Sequence, residues 1–213
     1  MKQSKLFYKT LKDNPRGEEA RNAQLLIRAG FIDKVMAGVY NYLPLGLRVL
    51  HKIEKIVREE MDAIGGQEIL MPVLHPSENW KKTERWNAMD VLFKLKGAGD
   101  KDFALGPTHE EIVTPLAQKA IFSYKDLPQA VYQIQTKFRN EPRSKSGLLR
   151  GREFSMKDLY SFHVSEEDLN EFYKTAEQAY KKIMQRLGVG DITYKTYASG
   201  GSFSKYSHEY QTL

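Results

Sequence analysis

VYQIQTKFRNEPRSKSGLLRGREFSMKD, residues 131–158, carries the pattern on which the fold turns. Val131 to Arg139 is rich in β-branched and aromatic residues, with Tyr132, Ile134, Thr136 and Phe138 alternating against Gln133, Gln135, Lys137 and Arg139. Successive side chains of a strand point to opposite faces, so Arg139 and Glu141 share the polar face if the strand runs that far. Pro142, Ser144, Lys145, Ser146 and Gly147 predict a flexible loop. The chain then returns with Arg150, Arg152, Phe154, Met156 and Asp158 at one parity, hence on one face. The expectation is a β-hairpin that gathers arginines, an acid and an aromatic on a single surface.

That set suits a nucleoside triphosphate. A guanidinium gives two parallel hydrogen bonds to a phosphate, and two such groups hold a polyphosphate along a bent path. An aromatic ring offers a base a stacking platform, and a carboxylate accepts from an exocyclic amine. Asp158 has the chemistry to orient an arginine or to help hold Mg2+. The competing reading is an exposed charged hairpin whose arginines pair with Glu141 and Glu153.

Phe138-Arg-Asn-Glu141, a loop, Arg150-x-x-x-Phe154 and then Asp158 resemble the second signature motif of class II aminoacyl-tRNA synthetases. The longer wording FRNEPR…GLLRGREFSMKDLYSFH is similar to the prolyl branch of that family. The resemblance implies that Arg139 contacts the α-phosphate of ATP, Glu141 the adenine amine, Arg150 the far phosphates and Phe154 the base. It implies that Arg139 and Arg150 are the catalytic pair, and that Asp158 belongs to the same ATP site. Arg143 and Lys145 would then lie in the loop that meets the tRNA acceptor end. Ser144-Lys145-Ser146 departs from the commoner Pro-Arg-Phe wording of that loop.

Upstream, Glu18 to Gly30 reads as a helix closed by glycine, and Val39 to Leu43 as a short strand followed by a turn at Pro44 and Gly46. Leu47, Leu50, Ile53, Val57, Met61 and Ile64 recur at three- and four-residue steps and predict the strongest helix, ended by Gly65-Gly66. Gln67 to Leu74 reads as a buried strand interrupted at Pro72, a residue confined to sheet boundaries. On periodicity alone this is an amphipathic core helix beside an edge strand. Its wording, LPLGLRVLHKIEKIVREEMDAIGGQEILMPVLHPSENW, also resembles the first class II motif. That resemblance implies an isologous homodimer through residues 47–74.

Trp80 to Asp102 mixes aromatics with charge and contains a turn at Gly97-Ala98-Gly99-Asp100. In Gly106-Pro-Thr108-His109-Glu110-Glu111, Thr108 and Glu111 have the spacing of a helix capping box. The same words resemble the Thr-x-Glu loop with which prolyl-type synthetases hold the ammonium of the amino acid. A secondary ammonium has two N–H donors and a charge, which a hydroxyl and a carboxylate satisfy; leaving one unpaired costs about 1–3 kcal/mol. Glu110 is the cleaner candidate, Thr108 can serve substrate or helix, and His109 between them reads as structural. Ser165, with Asp168 completing the cap, predicts a scaffold helix whose stripe is Leu169, Phe172, Ala176, Ala179, Ile183 and Leu187, stopped by Gly188. Ile192 to Tyr197 reads as a strand. The closing Gly-Gly…Ser-His-Glu resembles a strand lining the prolyl pocket, which adds Gly201 and His208 to the proline-binding candidates; no third partner supports a hydrolase triad.

Composition narrows little. Lysine and arginine total 33 against 27 acids in 213 residues, a net charge of +6 that is compatible with an RNA partner and common elsewhere. The absence of cysteine excludes disulfides, thiolate zinc sites and cysteine nucleophiles. No metalloprotease, EF-hand or P-loop wording occurs, so no protein metal site is expected. No apolar run is long enough to span a membrane and the first residues lack a signal-peptide core, so a soluble cytoplasmic protein is the expectation.

The implied fold is α/β of the α+β kind, a mixed, mainly antiparallel sheet flanked by helices. The implied activity is proline–tRNA ligation, with proline, ATP, Mg2+ and tRNA(Pro) as substrates, cofactor and partner. A third class II motif, an editing domain and an anticodon-binding domain find no match in residues 1–213. The chain is therefore expected to be the N-terminal portion of a catalytic domain, with weak or no activity alone. A class II-like binding protein that charges no tRNA, and a threonyl- or seryl-type enzyme, are the alternatives.

Overall fold

The computed structural model of the protein describes residues 2–144, 146–198 and 207–213. Helix α1 (Arg21–Arg28) leads into a hairpin of β1 (Ile32–Met36) and β2 (Val39–Tyr42), followed by α2 (Pro44–Ala63). Next come β3 (Gln67–Glu68), β4 (Leu74–Pro76), α3 (Ser77–Lys82), α4 (Arg85–Ala88), β5 (Phe93–Lys96), β6 (Asp102–Leu105) and α5 (Glu110–Ala120). The long hairpin β7 (Gln129–Phe138) and β8 (Glu153–Phe162), then α6 (Glu166–Arg186), β9 (Thr193–Ala198) and β10 (Ser207–Thr212), complete the order.

Among the described residues the strands form four small sheets, and all their pairings but one are antiparallel. The exception is β3, which runs parallel to β7. The central sheet has the order β3-β7-β8, and the β7–β8 register runs from Gln129↔Phe162 to Phe138↔Glu153. The mixed, mainly antiparallel architecture is the one expected.

Two apolar clusters flank the hairpin. On one side Met61 of α2, Tyr132 of β7 and Ala179 and Ile183 of α6 pack with Ile56, Val57, Ile64, Leu159 and Leu187. Two devices set α2: Pro44 at its first turn, where the missing N–H is harmless, and Gly65 at φ +84°, where the chain leaves the helix. Ser165 caps α6 by accepting from the Asp168 backbone N–H at 3.3 Å, as its sequence predicts. The second cluster is Trp80, Leu92 and Ala104, with Trp86 and Met89 against it.

Several local expectations are corrected. Helix α1 starts at Arg21 instead of Glu18, because the Glu18 carboxylate is taken by Lys34 at 2.8 Å and by the Ala20 backbone N–H at 3.2 Å. Pro44 and Gly46 belong to α2, not to a turn before it. Gln67 to Leu74 is not one buried strand: only Gln67 and Glu68 pair with β7, both exposed, and Leu74 opens a different sheet. The break falls around Pro72, whose ring removes a ladder donor. No Thr108–Glu111 capping box forms; α5 has His109 at its N-cap, and no side chain caps the helix there. Two contacts meet the segment after Phe138, at Ser146 and at Arg152. Asn22 of α1 donates to the Ser146 carbonyl at 2.9 Å, and the Arg152 backbone N–H donates to the Gly38 carbonyl at 2.7 Å.

Candidate active site

A cleft of about 330 Å³ opens between the β6–α5 turn, the end of β7 and the segment around α4. It is lined by Arg85, Met89, Val91, Pro107, Thr108, Arg139 and Glu141, among others. Three of the sequence candidates therefore line one cleft, Thr108 from the β6–α5 turn and Arg139 and Glu141 from the segment after β7. Glu110 joins them through Thr108, whose hydroxyl donates to the Glu110 carboxylate at 2.5 Å.

The predicted strand parity explains how. Gln133, Gln135 and Lys137 of β7 stand opposite Asp158, Met156 and Phe154 of β8, and cross-strand partners share a face. That polar face is not solvated. Gln133 and Lys137 have no exposed surface; Lys137 meets His109 of the β6–α5 turn and Gln133 meets the Met71 backbone. Just beyond the strand end, the Arg139 guanidinium lies 5.4 Å from the centre of the Phe154 ring and 3.5 Å from the Pro107 carbonyl. The expected phosphate ligand and the expected base platform are thus adjacent, with the amino-acid loop against them.

Glu141 is nearly buried, and Arg150 binds its Oε2 through Nε at 3.0 Å and Nη2 at 2.7 Å. This is the pairing that the competing hairpin reading anticipated, and it occurs inside the cleft-forming loop. Arg150 keeps 61% of its side chain exposed while Glu141 keeps 10%. The arginine is the solvent-facing partner, and its departure leaves a nearly buried carboxylate that needs another donor in its place. Arg152 does what sequence reading did not assign: its Nε donates to the Glu141 carbonyl and its Nη1 to the Ala37 carbonyl, both at 3.0 Å. It thereby holds the backbone that presents Glu141.

Asp158 sits elsewhere than expected. Its carboxylate is buried beneath the hairpin, 2.8 Å from Lys137 Nζ and 2.9 Å from Gln133 Nε2. With its oxygens so committed it neither orients an arginine nor fits a Mg2+ ligand, and no group of three or more His, Asp or Glu that could hold a metal ion occurs among the described residues. His208 is also separated from the cleft. It lies on β10 against α6, where its Nδ1 is 2.7 Å from the Tyr173 hydroxyl, in a cavity shared with Ala176, Glu177, Tyr180 and Tyr210. Arg143 is exposed on the loop. Gly201 and Lys145 lie outside the described residues.

Sequence reasoning missed Arg85 and Lys137. Arg85 comes from a four-residue helix with no periodicity to announce it; it reaches Glu111 at 2.6 Å and Glu110 at 3.7 Å. Lys137 did carry a signal, because it shares parity with Arg139 on a strand whose polar face had to meet something.

Residues 93–212 match the model of the tRNA synthetase class II core domain (G, H, P, S and T). The chain is 53% identical to the proline–tRNA ligase of Coprothermobacter proteolyticus over 216 residues, covering 99% of this chain and 38% of that protein. It is 53% identical to the proline–tRNA ligase of Thermotoga maritima over 213 residues, covering 99% of this chain and 36% of that one. It thus spans well under half the length of these curated relatives. Among solved structures, Giardia lamblia prolyl-tRNA synthetase in complex with prolyl-adenylate aligns with a TM-score of 0.76 at 23% identity, over 86% of this chain and 39% of that one. The fold, the hairpin and the matched family model agree, and the chain belongs to the class II tRNA synthetase core family.

Proposed function

We propose that this chain is the N-terminal portion of the catalytic domain of a proline–tRNA ligase. The protein it forms part of activates proline with ATP and passes it to tRNA(Pro). The observation that carries this reading is the meeting of Thr108, Glu110, Arg139 and Glu141 at one cleft. Glu110 and Thr108 there offer one charge and two oxygens to a secondary ammonium, which selects proline's chemistry. Arg139, one residue past the end of β7, would meet the α-phosphate, and Glu141, two residues further, the adenine amine.

In the reaction, one oxygen of the proline carboxylate attacks the α-phosphorus of ATP. The bond from that phosphorus to the bridging oxygen breaks, and pyrophosphate leaves with the electron pair. No side chain has to act as nucleophile or strong base. The rate comes from holding the two reactants in line and from guanidinium charge on the phosphoryl oxygens. Arg150 serves this when it leaves Glu141 for the far phosphates, and its departure frees Glu141 for the base. Phe154 stacks under adenine. A divalent ion would travel on the triphosphate, because Asp158 does not offer it a ligand. A hydroxyl of the terminal ribose of the tRNA then attacks the prolyl carbonyl, the bond from that carbon to the phosphate oxygen breaks and AMP leaves, with Arg143 on the loop that would meet the acceptor end.

A homodimer through residues 47–74 fits the exposed apolar side chains of that stretch. Leu47, Val49 and Ile53 on α2, with Leu70 and Leu74 beyond it, are between 37% and 75% exposed. No helix among the described residues is long and apolar enough to cross a membrane.

Proline-dependent exchange of labelled pyrophosphate into ATP tests the reading. The full-length gene product is expected to exchange with proline and not with threonine or serine, and the 213-residue chain weakly or not at all. Absence of proline-dependent exchange by the full-length product overturns the assignment.

A further inference from the structure

Lys137 has no exposed surface, and the reaction proposed above gives it no task. It lies on β7 two residues before Arg139, which follows the strand's last residue. Its ammonium lies 2.8 Å from Asp158 Oδ1 on β8 and 2.7 Å from His109 Nδ1 in the β6–α5 turn. The direction of the second bond is settled by the other ring nitrogen. His109 Nε2 is 3.1 Å from the Pro72 carbonyl, which accepts only from an N–H, so Nδ1 is the bare nitrogen and Lys137 donates to it. The second Asp158 oxygen accepts from Gln133 at 2.9 Å, and Gln133 in turn accepts from the Met71 backbone N–H at 3.0 Å. The His109 backbone N–H donates to the Tyr160 hydroxyl of β8 at 3.0 Å. One ammonium thus ties the nucleotide hairpin to the turn in which Thr108 and Glu110 flank His109.

Stability alone does not call for such a group. Removing two charges from water is costly, and well-packed apolar residues in place of a buried ion pair are often as stable or more so. What an apolar pair lacks is direction: dispersion contacts do not specify which way an imidazole faces, whereas a donor 2.7 Å from one nitrogen does. We infer that Lys137 is a positioning residue which, with Asp158 and His109, sets the spacing between the amino-acid grip at Thr108 and Glu110 and the phosphate grip at Arg139. This inference rests on the proposed activation of proline. In-line attack needs the reacting atoms roughly 3–3.5 Å apart, and a misplacement of about 1 Å lowers the rate on the order of 100-fold. The loss falls on the chemical step, because each grip still holds its own substrate.

Lys137→Met alone strands the Asp158 charge and endangers folding, so the informative variant is Lys137→Met combined with Asp158→Asn in the full-length gene product. It is expected to melt within a few degrees of the parent. Its KM for proline and for ATP should stay within about threefold, while kcat for pyrophosphate exchange falls on the order of 100-fold. On the 213-residue chain, nitrogen NMR of the parent should show His109 as a single neutral tautomer protonated at Nε2, and the double variant should lose that preference. A folded double variant with parental kcat overturns the inference, as does a rise in KM that accounts for the whole loss, or a mixed His109 tautomer in the parent. A parent that does not exchange removes the proposed function and this inference with it, so the parental assay separates the two failures.

Discussion

Glu110 and Glu111 are adjacent carboxylates that the sequence separates only by spacing from Thr108, Glu110 by the Thr-x-Glu resemblance and Glu111 by a capping box that does not form. The fold separates them by burial. Glu111 turns inward with 1% of its side chain exposed and binds Arg85 at 2.6 Å, while Thr83 donates to the same oxygen at 3.1 Å. Glu110 keeps 40% of its side chain exposed beside Thr108. The two should therefore respond oppositely to loss of charge. Glu111→Gln weakens a charge-assisted buried bond and is expected to lower unfolding free energy by about 2 kcal/mol in urea titrations. Glu110→Gln should leave stability within about 0.5 kcal/mol and raise the KM for proline roughly 10- to 100-fold, the loss of one charged hydrogen bond. The opposite allocation in the two assays would reverse the roles. Other residue-scale features were legible only in part. Parity put Lys137 and Asp158 on the correct face, yet which side of the hairpin is dry depends on the β6–α5 turn, a contact between positions about 30 residues apart. A strand pattern contains no trace of that cover.

At the scale of elements, long periodic segments were readable because each carries many repeats of its own signal: α2, β7, β8 and α6 all lie where their periodicity predicts. Of the short ones, β2 and β9 lie where Val39 to Leu43 and Ile192 to Tyr197 read as strands, but others were not legible. Helix α4 and strand β3 exist because neighbours hold them, and a four-residue or two-residue element has no period to read. The β1–β2 turn is a further case, since its role is external. Gly38 takes φ +78°, its carbonyl accepts from the Arg152 backbone N–H, and a Cβ there would come within 2.8 Å of Ser144 Cβ and 2.9 Å of Arg152 N. The turn is a buttress under the loop that presents Glu141. Gly38→Ala combines left-handed strain with this collision and is expected to cost on the order of 2 kcal/mol of stability. In the full-length product it should raise the KM for ATP more than that for proline, because the displaced loop carries Glu141 and Arg150 but not Glu110. Equal rises for the two substrates would mean that the turn supports the fold in general and not the nucleotide loop.

Across the whole molecule, the two apolar clusters are joined by a polar layer, and that layer makes stability depend on pH. His75 stacks on Trp80 of the second cluster with ring centres 5.9 Å apart, and meets His109 edge-on at 4.6 Å. His109 continues through Lys137 into the hairpin that packs on α2 and α6. Burial pushes His75 down to about 4, helped by the facing His109 and by Lys137; burial and then the Lys137 charge push His109 down to about 4. Both rings are therefore neutral in the fold, and both bind protons near pH 6.5 once unfolded. Between pH 6.5 and 4 the unfolded state holds more protons, so stability rises with pH across this window. The contribution is complete above pH 6.5 and is lost as the pH falls toward 4. Rings this close titrate as a pair, so the loss belongs to the two together. From pH 6.5 to 5, above the range of ordinary carboxylates, each ring accounts for on the order of 2 kcal/mol. Against a typical total of about 5–15 kcal/mol this is a large fraction. Urea midpoints measured at half-unit steps should fall steadily from pH 6.5 to 5, and the decline should precede any loss that comes from protonating acids. A midpoint that stays level over that interval would mean that water reaches the histidine pair in the folded protein, and that the layer joining the two clusters is not dry.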